Sequence, residues 1–128
     1  MKARGRLYWA LLGIAAVTMV SGVAQAAVPG LILRRLASEA TPAGLHFFAI
    51  VGMFMVLFGG MLLHALLSPS HHPVAVLWAS FQKFGAAAAV GLGVRNEVFG
   101  SLALSVAAFD LVSGMLAITY WLSLKDSP

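Results

Sequence analysis

The chain has 128 residues, of which 61% are hydrophobic and only twelve are charged. A typical globular domain carries about 45–50% apolar and about 25% charged residues, so this composition excludes a soluble fold. It also excludes intrinsic disorder, which requires low hydrophobicity. The net charge is +4, but the basic residues form no cluster that would follow a phosphate backbone, so nucleic acid is not expected as a partner. The absence of cysteine excludes disulfides, thiolate metal sites and cysteine nucleophiles.

Four apolar runs have the length of membrane-spanning helices, since crossing the roughly 30 Å hydrocarbon layer takes about 20 apolar residues. Strands are excluded as spans because a closed barrel needs about eight of them, of roughly ten residues each. The sequence therefore predicts an all-α integral membrane protein, a single transmembrane domain folded as an antiparallel four-helix bundle. The predicted spans are residues 7–28, 45–67, 74–94 and 98–122.

The predicted connections are two short turns and one longer first loop. Pro29-Gly30 is expected to end the first helix, since proline lacks the N–H group and glycine favours helix ends. The loop that follows, residues 31–44, contains a stretch typical of one or two amphipathic turns, with Arg34 and Arg35 at headgroup level. This layout resembles that of the DoxX-like group of small four-span proteins. No motif accompanies the resemblance, so it implies a topology and no activity.

The first span also has features of a signal peptide. A basic start precedes the apolar run, and Ala24-Gln25-Ala26 matches a cleavage pattern. However, the run continues past this pattern to Val28 and is long enough to span, which favours a retained helix.

The distribution of basic residues favours a cytoplasmic location for both termini, in the cell membrane. Loops on the cytoplasmic side carry an excess of lysine and arginine, and the first helix usually dominates. With the N-terminus inside, four basic residues lie on that side against three on the other. The four are Lys2, Arg4, Arg6 and Lys125.

Only two charged residues fall inside the apolar runs: Lys83 in the third and Asp110 in the fourth. Counted from the last turn at about 1.5 Å per residue, both lie about 20 Å along antiparallel helices. A single charge at mid-membrane costs about 2.5–3.5 kcal/mol, so an intramembrane ion pair is predicted. A structural clamp, a proton or ion relay, the polar floor of a ligand cavity and the absence of any contact all remain open.

The histidines are weak candidates for cofactor binding. His46 and His64 share one face of the second span, but they lie about 27 Å apart along it and cannot hold one haem iron together. A surface metal site built from His64, His71 and His72 is conceivable, since imidazole suits zinc and copper. Interfacial polarity explains these residues more simply, so no metal site is predicted.

Glycines in the second span, at positions 52, 59 and 60, indicate a thin helix face. Small residues at such positions usually allow close helix packing. The alternative is room for a flat lipophilic ligand, such as a quinone, a carotenoid or a lipid. No cofactor is predicted beyond that possibility.

No catalytic residues are predicted, because no motif assembles a nucleophile, a base and an oxyanion hole, and an enzyme is therefore not favoured. The function expected first is that of a non-catalytic accessory or assembly subunit of a larger membrane complex. One alternative is a small oligomeric transporter or proton-linked carrier that uses the Lys83–Asp110 pair. Another is a quinone- or haem-binding oxidoreductase component with His46 or His64 in contact with the cofactor. The expected partners are membrane lipid and either other membrane-protein subunits or further copies of this chain.

Overall fold

The computed structural model describes the backbone of residues 2–37 and 39–126, and their side chains from residue 4 onwards. Within this part of the chain the fold is all-helical, which confirms the predicted fold class. Five helices follow one another: α1 (Lys2–Ala27), α2 (Pro29–Leu36), α3 (Pro42–Leu67), α4 (Pro73–Arg95) and α5 (Ala103–Lys125).

All the helices except α2 are long and apolar enough to cross a membrane. Their outward side chains are largely apolar: Trp9, Val20 and Phe47 are 71%, 69% and 66% exposed. Such a surface suits contact with lipid tails rather than with water. Length and composition therefore indicate a multi-pass membrane protein.

The bundle consists of two closely packed helix pairs. α1 packs mainly on α3, and α4 packs mainly on α5, with fewer contacts of α3 with α4 and of α1 with α5. The start of α1, the turn at residues 68–72 and the end of α5 meet at one end of the bundle, which we call the terminal end. The opposite end carries α2 and the segment 96–102 and is called the loop end.

The first helix ends at Ala27, just before the Pro29-Gly30 pair that was predicted to stop it, and Pro29 then begins α2, where its missing N–H group removes no helical hydrogen bond. One predicted boundary is wrong. The fourth long helix begins at Ala103 rather than at residue 98. The preceding segment is held elsewhere, because Phe99 forms an isolated bridge with Ala37 and the Gly100 N–H donates to the Leu36 carbonyl at 2.7 Å.

Glycines bring α1 and α3 into backbone contact. A Cβ atom added at Gly22 would lie 2.6 Å from the Gly52 carbonyl oxygen, and one at Gly52 would lie 2.7 Å from the Ala26 nitrogen. A Cβ at Gly59 would lie 2.8 Å from Met19 Cγ. Of the two interpretations of these glycines, helix packing is the one that the contacts of Gly52 and Gly59 support.

An apolar core joins the two helix pairs towards the terminal end. All four long helices contribute to it, and its largest members are fully buried. The core residues are Leu11, Ala15, Leu62, Leu66, Val76, Ala79, Ala117 and Tyr120.

Candidate functional site

The most polar part of the interior is a central cluster of three side chains, Thr18, Lys83 and Asp110. Lys83 Nζ donates to Thr18 Oγ1 at 2.7 Å and to Asp110 Oδ1 at 3.2 Å. The structure thus brings together the two intramembrane charges and adds a hydroxyl group from α1. We call these three residues the central triad.

The triad lies near the middle of the bundle. Lys83 lies ten residues after Pro73 and twelve before Arg95, so about 15–18 Å of helix extends on either side. Small neighbours allow the helices to meet here, as Gly114 of α5 packs directly against the Phe84 ring of α4. One side chain from each of α1, α4 and α5 completes the cluster, so it links both helix pairs.

The triad is largely closed to its surroundings. The Lys83 side chain is 6% exposed and that of Asp110 is 12% exposed. The Phe109 ring centroid lies 5.3 Å from Lys83 Nζ, a cation–π contact that covers the ammonium group on one side. An ammonium group that bonds a carboxylate and a hydroxyl forms a strong link between the helices that carry them. The ammonium and the carboxylate are also two groups between which a proton can move.

Two buried serines, Ser80 and Ser113, lie one helical turn from Lys83 and Asp110 on the side of the terminal end. Ser80 is fully buried, and its hydroxyl donates to the Val76 carbonyl at 3.0 Å. Ser113 is 1% exposed, and its hydroxyl has no hydrogen-bond partner among the described residues. Since Ser113 lies one helical turn after Asp110, the same face of α5 carries both.

The histidines do not form a common site in the structure. His46 and His64 are both exposed on α3, and the His46 ring has only an edge contact with Phe47. His72 is 3.2 Å from the Ser70 hydroxyl, while His71 turns towards α5. In residues 2–37 and 39–126 no group of three metal-binding side chains occurs.

A second polar cluster lies at the terminal end, around a surface cleft of about 410 Å³. The His71 Nδ1 atom is 2.6 Å from the Tyr120 hydroxyl, and the His71 ring stacks on the Tyr8 ring at a centroid distance of 5.4 Å. The Tyr8 hydroxyl donates to the Leu66 carbonyl at 3.1 Å. This terminal cleft is lined by Arg4, Gly5, Tyr8, His71 and Tyr120.

A third feature is the outer face of α4. Gln82 is half-buried at mid-helix, and its carboxamide makes no hydrogen bond to any residue whose side chain is described. Gly85, three residues on, has open space where a Cβ would point, and Ala89 is exposed. By contrast, Gln25 of α1 is buried and donates to the Phe48 carbonyl at 2.9 Å.

Comparison with known proteins gives no matching family model, curated protein or solved structure.

Sequence reasoning missed Thr18 and the terminal cleft. A threonine inside an apolar run resembles any small packing residue, and only the hydrogen bond from Lys83 of α4 to Thr18 of α1 reveals its role. Tyr8, His71 and Tyr120 suit a membrane interface individually, but their sequence separations of 49 and more hide their contact. The signal available was that all three lie at predicted ends on the same side of the bundle.

Proposed function

We propose that this chain is a non-catalytic accessory subunit of a larger membrane complex, and that it docks on a transmembrane helix of its partner through the outer face of α4. The observation that carries the proposal is the Gln82 carboxamide. It lies in the middle of a membrane-length helix and has no partner in the described chain.

A polar side chain in the hydrocarbon layer finds its hydrogen bonds on a neighbouring helix, because lipid tails offer none. Glutamine commonly bonds across helix–helix interfaces in membranes. A partner helix that presents a polar group opposite Gln82 therefore fits this position better than lipid does.

The residues that follow Gln82 suit the close approach of a helix. Gly85 and Ala89 continue the same stripe at intervals of three and four residues, and neither is covered by the chain itself. Small residues at such intervals let backbones approach and gain dispersion contacts. The aromatic side chains of Trp78 and Phe81, 58% and 46% exposed, flank the stripe.

The central triad supports a structural role for the interior. Its ammonium group already bonds a carboxylate and a hydroxyl, so its charge is satisfied within the chain. Such a clamp fixes the register of α4 on α5 and ties α1 to α4 through Lys83. A rigid bundle of this kind presents α4 in a constant orientation.

The test uses single cysteines, since the natural sequence contains none. Gly85→Cys and Gly13→Cys both replace a mid-span glycine with open space around it, on α4 and α1 respectively. A thiol-directed photocrosslinker in native membranes is expected to join Gly85→Cys to one recurrent membrane protein, identified by mass spectrometry. Adding Gln82→Leu should abolish that product. Equal labelling from both positions, or adducts that contain only this chain, would contradict the proposal.

A second candidate is a proton-linked carrier, favoured by the buried Ser113 hydroxyl beside the central triad. An unpartnered buried hydroxyl accommodates a transient water or proton, and intramembrane charges commonly mark ion pathways. An apolar layer that includes Leu11, Leu66 and Val76 separates the triad from the terminal cleft. Transport therefore requires that this layer open.

The carrier is tested by proton flux into liposomes that contain a pH-sensitive dye. A carrier is expected to acidify the lumen under an imposed potential and to lose that activity in Ser113→Ala. Ser105→Ala is the control, since Ser105 is exposed on the same helix. Flux equal to that of empty liposomes would eliminate this candidate and leave the accessory-subunit proposal standing.

A further inference from the structure

A groove at the loop end, which we call the loop-end groove, has a volume of about 500 Å³. This volume lies within the range of about 300–1,000 Å³ typical of small-molecule sites. Three parts of the chain form the groove: the end of α2, the first turns of α3 and the segment that precedes α5. Its larger apolar side chains are Leu33, Phe47, Phe48, Val51, Val98 and Phe99.

The groove is polar at one end and apolar at the other. Glu39 and Thr41 line it from the connection before α3, whereas Phe47 and Val51 line it five and nine residues after Pro42, the first residue of α3. At about 1.5 Å per residue, these two apolar positions lie about 7–14 Å along the helix. Because α3 has the length and composition of a membrane span, the polar end lies at the level of the lipid headgroups and the apolar end at the level of the acyl chains.

The groove opens on the outer surface of α3. Phe47 and Val51 are four residues apart and share one helix face, and Val51 is 52% exposed. Leu33, in contrast, is buried and lines the groove from α2. An outer apolar surface at this depth faces acyl chains rather than water, so the natural occupant of the groove is a lipid.

The segment before α5 is held in place by its own backbone bonds. The Val98 and Phe99 N–H groups both donate to the Gly93 carbonyl, at 2.8 and 3.1 Å. A Cβ atom added at Gly93 would meet the Phe99 ring, so the ring packs directly on α4. Glu97 has a φ of 62°, and left-handed residues other than glycine persist where surrounding contacts determine them. This wall of the groove is therefore formed by the chain alone, as in most ligand sites.

The charge at the polar end indicates the type of head group. The two titratable side chains that line the groove are the carboxylates of Glu39 and Glu97, and no basic side chain of the described residues lines it. Arg34 and Arg35 of α2 are exposed outside it. Glu39 is exposed and makes no hydrogen bond or ion pair within the described part of the chain. A carboxylate only accepts hydrogen bonds, so this end favours a cationic donor over an anion.

We propose that the loop-end groove binds one phospholipid whose head group carries a primary ammonium. The ammonium bonds the Glu39 carboxylate, and an acyl chain lies along Phe47 and Val51 of α3. The change from polar to apolar along the groove matches such an amphiphile, and the sign of the charge selects its head group. The assignment does not rest on the proposed docking through α4, because neither Gln82 nor Gly85 lines the groove.

The head group is tested by native mass spectrometry of the full chain in mild detergent, titrated separately with phosphatidylethanolamine and with phosphatidylglycerol, which has no ammonium. Glu39→Gln is expected to weaken binding of the first phosphatidylethanolamine by about two- to fivefold, the effect of one exposed ion pair. It should leave phosphatidylglycerol binding unchanged or tighter. Asp126→Asn is the matched control, because it removes the same charge from an exposed position at the terminal end and should leave both affinities unchanged.

Three results of these titrations would overturn the assignment of the head group. The first is an equal loss of both lipids in Glu39→Gln. The second is an equal effect of Glu39→Gln and Asp126→Asn. The third is complete displacement of phosphatidylethanolamine by millimolar ethanolamine, which would show that the groove takes a soluble cation.

The position of the acyl chain is tested by filling the groove. Val51→Trp should cause loss of the first bound phosphatidylethanolamine, because the indole occupies the apolar end. Val20→Trp is the control, since Val20 is an exposed valine of α1 outside the groove, and it should bind the lipid as the parent does. Helicity equal to that of the parent verifies the fold of each variant. Unchanged binding in a folded Val51→Trp would exclude the groove, and if that variant does not fold, Glu39→Gln decides the question.

Discussion

The two helix pairs of the bundle are joined by opposite means. α1 and α3 meet backbone to backbone, where added Cβ atoms at Gly22 and Gly52 would fall within 3 Å of the facing helix. α4 and α5 meet through an ion pair, Lys83–Asp110, and through the Phe84 ring that covers Gly114. The first interface is fixed by the absence of side chains and the second by the chemistry of two side chains.

The two interfaces show two ways in which one helix can select its neighbour in an apolar environment. Without a hydrophobic driving force between helices, association depends on close packing or on polar bonds. The α1–α3 interface leaves no room for a Cβ at Gly22 and Gly52, whereas the α4–α5 interface, which is also tight at Gly114, depends in addition on the balance of two buried charges. Thr18 connects the two, because it lies on α1 and accepts a hydrogen bond from Lys83.

The largest expected effect is on the charged interface. Lys83→Met or Asp110→Asn alone leaves one buried group without its partner and should lower the free energy of unfolding by about 3–5 kcal/mol. The double variant should recover most of that loss, since replacing both members of a buried pair is often near neutral. Helicity followed during a denaturing-detergent titration measures all three. Single variants as stable as the parent would show that the pair does not hold α4 to α5.

The next largest effect on stability is expected at the α1–α3 interface. Gly22→Ala is expected to destabilise the bundle by about 1–3 kcal/mol, because the new Cβ meets backbone atoms that cannot move aside. Gly13→Ala on the same helix points into open space and should be neutral or stabilising by up to about 1 kcal/mol through helix propensity. The same titration compares them, and a loss of similar size in both would mean that α1 and α3 do not meet at Gly22.

A smaller effect is expected at the link between the pairs. Thr18→Val keeps the shape and removes the hydroxyl that Lys83 Nζ contacts at 2.7 Å. Interhelical hydrogen bonds in membranes average about 0.6 kcal/mol and reach about 1.7, and a charged donor favours the upper part of that range. Thr119→Val, at an exposed threonine that bonds only its own helix, should stay within about 0.5 kcal/mol. If the two variants are equally stable, Thr18 does not tie α1 to the ion pair.

The smallest effect on stability is expected at the proposed docking face. Gln82→Leu should change the free energy of unfolding of the isolated chain by less than about 0.5 kcal/mol, since the carboxamide has no hydrogen bond within the described chain to lose. A destabilisation above 1 kcal/mol would indicate an internal role for Gln82 and weaken its assignment to a partner.

Much of the fold follows from the sequence. The four long apolar runs predict the helices, because a span requires a fixed number of apolar residues. The equal depth of Lys83 and Asp110 along antiparallel helices also predicts that the two residues lie at the same level. The boundary at residue 98 was wrong because hydropathy does not indicate that the backbone of the segment before α5 is bonded to Leu36 and Ala37 instead of forming helix.

The rest depends on which helices become neighbours. Sequence periodicity does not indicate that α1 lies against α3 and near α5. Neither the role of Thr18 in the central triad nor the terminal cleft could therefore be predicted. The glycines of α3 are compatible in sequence with helix packing and with a ligand site, and only the atoms that face them distinguish the two. Because these helices are apolar on every side, their hydrophobic pattern does not indicate which side faces a neighbouring helix. The rotation of each helix about its axis, which decides its contacts, is therefore the property that the sequence predicts least.

Docking of this chain on a partner through α4 is tested most directly by native mass spectrometry of the tagged, otherwise unaltered chain, extracted gently from its own membranes. The proposal predicts a complex that contains at least one different membrane protein in a fixed ratio, and predicts that Gln82→Leu releases this chain while leaving it folded. A spectrum of monomers or of homo-oligomers alone, unchanged by Gln82→Leu, would contradict an accessory subunit that docks through α4.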